Sequence, residues 1–223
     1  MAGQLFLKAA AAWLVGFVFV SAMVFLPAGT IAFPRGWLLL TVLFIPMLLA
    51  GVVMLLKSPK LLERRLQNKE KQGGQRSVIA GSAAMFVAGF ALAGLDFRFG
   101  WTQLPAWVSA AAAVVFLLGY GLYALVLREN AYASRVVEIQ QGQKLIDTGL
   151  YAVVRHPMYG ATVLMFLSMP LVLGSGISFL CFLAYPMLIA KRIRGEEQML
   201  EAELEGYAQY MQRVRWKVIP FVW

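Results

Sequence analysis

Residues 147–160 read Asp147-Thr148-Gly149-Leu150-Tyr151-Ala152-Val153-Val154-Arg155-His156-Pro157-Met158-Tyr159-Gly160, and they separate a polar segment from a long apolar one. Side chains at such a handover belong at a membrane–water boundary. The stretch holds His156, the only histidine in the chain. It cannot be continuous helix. Gly149 permits a turn, and Pro157 disfavours the α region at His156, so a new helix is expected to start at Pro157. A helix beginning there would aim unpaired backbone N–H groups and a partial positive charge at whatever His156 and Tyr159 touch. That suits a carboxylate or a polar cofactor. On these residues alone, an interfacial turn with a satisfied histidine fits as well.

Outward from this stretch, the chain reads as membrane protein. It is 61% hydrophobic and 14% charged, with a mean hydropathy of +0.71. Apolar runs of about 20 residues each match the thickness of a bilayer. Spans are expected at Phe6–Leu26, Trp37–Leu56, Ser77–Leu95 and Ala106–Leu127. The first is too long for the apolar core of a cleaved signal and is read as a retained helix. Lys57 to Arg76 is charged, with Leu61, Leu62 and Leu66 forming the stripe of a surface helix that Gly73-Gly74 should end. Arg128 to Arg155, including Arg135, Glu138, Gln140 and Gln141, is too polar to span and too rich in apolar residues to be a disordered linker. Met158–Leu173 and Ile177–Ala190 are short apolar runs joined at Gly174-Ser175-Gly176, a helical hairpin. Lys191 to Trp223 is a charged, amphipathic tail. The expected fold class is therefore an all-α polytopic membrane protein of about six helices, the last two a short hairpin. Residues 1–128 form the N-terminal membrane helices and residues 129–223 a C-terminal region with a cytosol-facing site.

Charge supports that layout. The net charge is +9, yet the basic residues flank spans, which points to orientation and anionic headgroups and away from nucleic acid. With six crossings and a cytoplasmic N-terminus, every Lys and Arg except Arg35 and Arg98 falls on the cytoplasmic side, with the C-terminus. The single cysteine, Cys181, excludes an intrachain disulfide, and with one histidine no His- or Cys-based metal site is expected. Glycine-rich phosphate loops and nucleophile elbows are absent, and Leu117 to Gly121 reads as close helix packing. What remains is a cluster: Arg155 and His156 before the hairpin, and Lys191, Arg192, Arg194, Glu196 and Glu197 after it. A hairpin brings its ends together, and a helix continuing past Ala190 sets Arg192 and Glu196 on one face. Each of these alone could be a snorkelling cation or a solvated ion pair. Together, beside His156, they point to a cytosol-facing site without naming its reaction.

The same residues carry a resemblance. Gly149-x-Tyr151-x-x-x-Arg155-His156-Pro157-x-Tyr159 is similar to the signature of the isoprenylcysteine carboxyl methyltransferase family and related phospholipid methyltransferases. Arg192-x-x-x-Glu196-Glu197-x-x-Leu200 follows in the family's order, then Tyr207-x-x-Tyr210 and Ile219-Pro220. The likeness covers about Asn130 to Trp223, and Pro34-Arg35-Gly36-Trp37 resembles the bacterial branch. It implies an S-adenosylmethionine (SAM) dependent membrane methyltransferase in a bacterial inner membrane. Leu150, Tyr151, His156, Pro157, Tyr159 and Glu196 match cofactor-pocket positions, and Arg192 and Glu197 match the pair assigned to catalysis. The acceptor implied is a lipid or prenylated small molecule, methylated on a carboxylate, and a monomer is expected. A phospholipid amine acceptor is the alternative chemistry. A sterol-reductase-like enzyme binding NADPH is the alternative class, and a transporter or scaffold the non-enzyme one. The family's Phe-Gly-x-x-Tyr is replaced by Glu203-Leu204-Glu205-Gly206-Tyr207, so no residue beyond Glu197 is expected to be catalytic.

Overall fold

A computed structural model describes residues 2–66, 73–102, 104–130, 132, 139 and 142–223. Arg135, Glu138, Gln140, Gln141 and residues 67–72 lie outside the described set. Among the described residues there is no strand. In chain order the helices are α1 (Ala2–Ala28), α2 (Pro34–Lys57), α3 (Pro59–Arg65), α4 (Gly73–Phe99), α5 (Ala106–Glu129), α6 (Pro157–Val172), α7 (Gly176–Phe182), α8 (Ala184–Glu203) and α9 (Tyr207–Arg213). A 3-10 turn, Gly149–Ala152, precedes α6. Proline at the first position starts α2, α3 and α6, where the missing N–H costs nothing.

Five helical stretches are long and apolar enough to cross a bilayer: Gly3–Ala28, Pro34–Lys57, Gln75–Phe99, Ala106–Glu129 and Gly176–Glu203. The hairpin is asymmetric, unlike the two short halves expected. Its first half, α6, has 16 residues, a length of roughly 24 Å at 1.5 Å per residue. Its second half breaks only at Leu183 and continues as α8 well past Ala190. Gly73-Gly74 open α4 and do not close the surface helix, which ends at Arg65 with Leu62 buried.

Small residues bring the helices together, as lipid-embedded packing requires. A side chain at Gly94 would meet the α1 backbone, 2.4 Å from Val24 O. One at Gly119 would lie 2.8 Å from Met165 of α6, the close packing expected of Leu117 to Gly121. One at Gly89 would run into Phe182 at 2.3 Å. Around that contact Phe86, Phe166, Phe182 and Tyr185 tie α4, α6, α7 and α8 edge to face. At the polar end, Gln75 Nε2 donates to Arg192 O and Lys191 Nζ to Ser77 Oγ. Arg65 packs over the Tyr123 ring and reaches Met158 Sδ. The start of α4, the end of α5, the start of α6 and the second half of α8 therefore share one end of the molecule.

Candidate active site

The turn before α6 is built by residues from α5. Gly149 has φ 56°, and a Cβ there would strike the Glu129 carboxylate at 2.4 Å, so glycine is required on both counts. Glu129 Oε2 accepts from Leu150 N–H at 2.9 Å. Asn130 Nδ2 donates to Tyr151 Oη, and Tyr210 Oη donates to Tyr151 O. Tyr151 is thus held from both sides, from α5 and from α9.

Next along the chain, Arg155 and His156 pair with the tail as a short extended segment. Arg155 N–H donates to Trp216 O and His156 N–H to Lys217 O, at 2.9 and 2.8 Å. Arg155 Nη1 also donates to Val214 O and Arg215 O. Its Nε meets Glu197 Oε1 at 2.8 Å, His156 Nε2 lies 3.2 Å from the same oxygen, and Lys217 Nζ reaches Oε2 at 2.6 Å. Arg155, His156 and Glu197 are all buried. A buried carboxylate needs such partners, since leaving one unpaired costs several kcal/mol.

The start of α6 offers fewer free N–H groups than the sequence led one to expect. Pro157 has none, His156 donates to the tail, and Tyr159 and Gly160 N–H turn back to His156 O. The polar capacity comes from side chains. Tyr159 Oη donates to Glu196 Oε2 at 2.5 Å and accepts from Arg192 Nε at 2.9 Å. Arg192, Tyr159 and Glu196 form one chain. Glu197 lies five residues from Arg192 on α8, so it points roughly 140° around the helix and meets Arg155, His156 and Lys217. Arg192 and Glu197 are therefore not partners of one another.

Between these groups lies an open-mouthed cavity with about 810 Å³ of empty space, part of it open to solvent. That is within the roughly 300–1,000 Å³ of small-molecule pockets. Of the residues named from sequence, Tyr151, His156, Tyr159 and Glu196 line it. Leu150, Pro157, Arg192 and Glu197 are not among its lining residues; each is adjacent in sequence or hydrogen-bonded to one that is. Arg155, singled out with His156 in the sequence, lines it too, and so do residues not foreseen: Asn130, Tyr132, Met158, Tyr207 and Tyr210 among them. Tyr207 is the most informative. Its side chain is buried, yet its hydroxyl has no hydrogen-bond partner among the described residues. Burial, then the charges of Glu197 and Glu196, pushes its phenol well up, and burial pushes Tyr151 up to about 12, so both remain protonated donors at neutral pH. The signal for Tyr207 was the Tyr-x-x-Tyr spacing, which α9 turns into one face, the two rings 5.6 Å apart.

Residues 110–202 match the model of the isoprenylcysteine carboxyl methyltransferase (ICMT) family. The match is to a little under half of the chain. That region contains the whole Arg192–Tyr159–Glu196 chain as well as Arg155, His156 and Glu197, while Tyr207 and Tyr210 lie beyond it. Over its full length the fold is similar to that of a eukaryotic intramembrane Ras methyltransferase, ICMT, with a TM-score of 0.53 and 20% identity over 99% of this chain and 98% of that one. A second likeness is to a Delta(14)-sterol reductase of Methylotuvimicrobium alcaliphilum, 23% identical over 136 residues. It takes in 54% of this chain, which spans about a third (32%) of that relative's length. The ICMT-like fold places the pocket at the end of the bundle where the polar segments gather.

Proposed function

We propose that this chain is an integral membrane methyltransferase that uses SAM to methylate a carboxylate on a lipid-like, isoprenylcysteine-type acceptor. The Arg192–Tyr159–Glu196 chain, set in an ICMT-family region beside a cavity with an unpartnered buried hydroxyl, is the observation that carries this reading. The distribution of basic residues along the chain supports a cytoplasmic N-terminus and tail, in a bacterial inner membrane, by the preference of Lys and Arg for the cytoplasmic side.

The cavity fits the cofactor on chemical grounds. Tyrosine faces attract a cation, and Tyr151, Tyr159, Tyr207 and Tyr210 all line it. Glu196 keeps an oxygen for ribose hydroxyls or an amino group, and Tyr207 offers an unused donor. When bound, SAM supplies an electrophilic methyl group on a sulfonium. The protein's part is then positioning, which supplies much of the acceleration in such transfers. Arg192, held by Tyr159 next to the cavity lining, is the cation we assign to orienting an acceptor carboxylate. Both oxygens of Glu197 are committed to Arg155, His156 and Lys217, so Glu197 acts through position, fixing the Arg155-His156 turn. This favours a carboxylate, already nucleophilic, over an amine needing a base.

A reductase reading keeps one supporting observation, the sterol-reductase likeness. Calorimetric titration with SAM and with NADPH separates the two, and methyl transfer to prenylcysteine or to phospholipid in vesicles separates the acceptors. Saturable SAM binding with methylation of prenylcysteine is the expected result. NADPH binding without SAM binding overturns the proposal.

A further inference from the structure

Beyond α9 the backbone runs extended through residues 214–217 and then folds into a tight knuckle. Val218 N–H and Ile219 N–H both donate to Trp223 O at 2.9 Å, while Val222 and Trp223 N–H donate back to Ile219 O. Phe221 takes φ 64° within it, a left-handed conformation that is a genuine outlier for a bulky residue. The outcome is a built turn that holds its apolar side chains outward. Phe221 is 86% exposed, Val222 73% and Ile219 48%. In water such a turn would forgo the burial of each of these side chains.

Its depth is fixed by Val218, which is buried in the main core. A Cβ at Gly160 would lie 3.5 Å from Val218 Cγ1. Gly160 is in the first turn of α6, and Leu164, one turn further along the same face, is 44% exposed within an apolar helix. The knuckle therefore rests on the outward face of α6, at the level where the apolar run begins. Arg215 is exposed on the same segment.

We propose that residues 219–223 are a membrane-interface anchor, with Ile219, Phe221 and Val222 seated among the headgroups and upper acyl chains of an anionic leaflet. The partner is the bilayer itself. Aromatic and aliphatic groups beside a cation are what such an interface accepts. Residues 214–217 carry the carbonyls and the lysine that hold Arg155 and Glu197. The leaflet thus steadies one support of the pocket. This inference does not rest on the methyltransferase reading.

The test uses the full chain in phosphatidylcholine–phosphatidylglycerol vesicles. In a Cys181→Ser background, Val222→Cys and, separately, Ile219→Cys are labelled with an environment-sensitive fluorophore. Leu164→Cys serves as the lipid reference and Glu203→Cys as the solvent reference. Quenching by shallow spin-labelled lipid of at least about half that at Leu164, with iodide quenching several-fold weaker than at Glu203, is expected. Iodide quenching equal to that at Glu203 without lipid quenching overturns the proposal. Protection from both quenchers overturns it too, since protein would then cover the knuckle.

Discussion

Two buried polar clusters sit at opposite ends of the same helices, and they behave differently. Far from the pocket, Asp96 accepts from Thr102 N–H, from the Thr102 hydroxyl and from Ser175 Oγ. Thr102 Oγ1 accepts from Gly176 N–H, Ser175 Oγ accepts from Ser178 N–H, and Arg35 donates to Leu104 O beside Gly174. That cluster joins α4 to the hairpin turn. At the other end Glu197, Arg155, His156 and Lys217 are equally well paired, but next to them stand a cavity and a tyrosine hydroxyl with no partner. Burial of polar groups marks both ends. Among the described residues, unused hydrogen-bonding capacity facing this cavity marks the second. Gln75 Oε1 and Ser21 Oγ also lack partners among the described residues, but neither lines the cavity.

The comparison can be broken most forcefully at Arg155. Arg155→Ala leaves Glu197 buried without its main partner and frees the tail carbonyls, so a loss of about 3–5 kcal/mol is expected. Thermal unfolding in detergent checks it, and SAM binding should fall with it. Arg192→Ala tests the other side of the site. Methyl transfer should drop at least about 100-fold, near 2.7 kcal/mol, while calorimetry shows the SAM Kd changed by no more than a few-fold. Asp96→Ala should cost about 2–3 kcal/mol, since several donors lose one buried acceptor. Its SAM Kd should match wild type; a large change would show that the two clusters are one system.

Tyr207→Phe sharpens the distinction further. The hydroxyl makes no hydrogen bond among the described residues, so stability should stay within about 0.5 kcal/mol or rise, and SAM affinity should weaken about 5–10-fold in calorimetry. Equal affinity would assign Tyr207 to packing alone. The smallest effect is expected at Asp147→Asn, which breaks a largely exposed pair with Arg213. Such pairs are worth about 0.2–1 kcal/mol, and chemical denaturation should place this one at the low end.

Much of the site was legible along the chain. Gly149, Pro157 and the lone His156 announced a turn and a helix start, and Arg192 and Glu196 sit where helical spacing puts them, on one face with Tyr159 between. That Arg192 and Glu197 have different partners was not legible, because adjacency to Glu196 in sequence is a rotation of roughly 100° on a helix. The tail was the least legible part. Arg155 and His156 N–H pair with Trp216 and Lys217 carbonyls some sixty residues away, and no periodicity encodes that. It takes up the N–H groups that the start of α6 was expected to present.

The sequence alone determined the class of molecule: apolar runs of bilayer length, basic residues on one side, and two motifs in order around a hairpin. Those properties are local, since hydropathy, turn chemistry and charge are carried by neighbouring residues. The tertiary structure decided which polar groups are satisfied and which are left facing a cavity. That depends on segments distant in sequence meeting, as Tyr210, Val214 and Lys217 meet Tyr151, Arg155 and Glu197 around the start of α6.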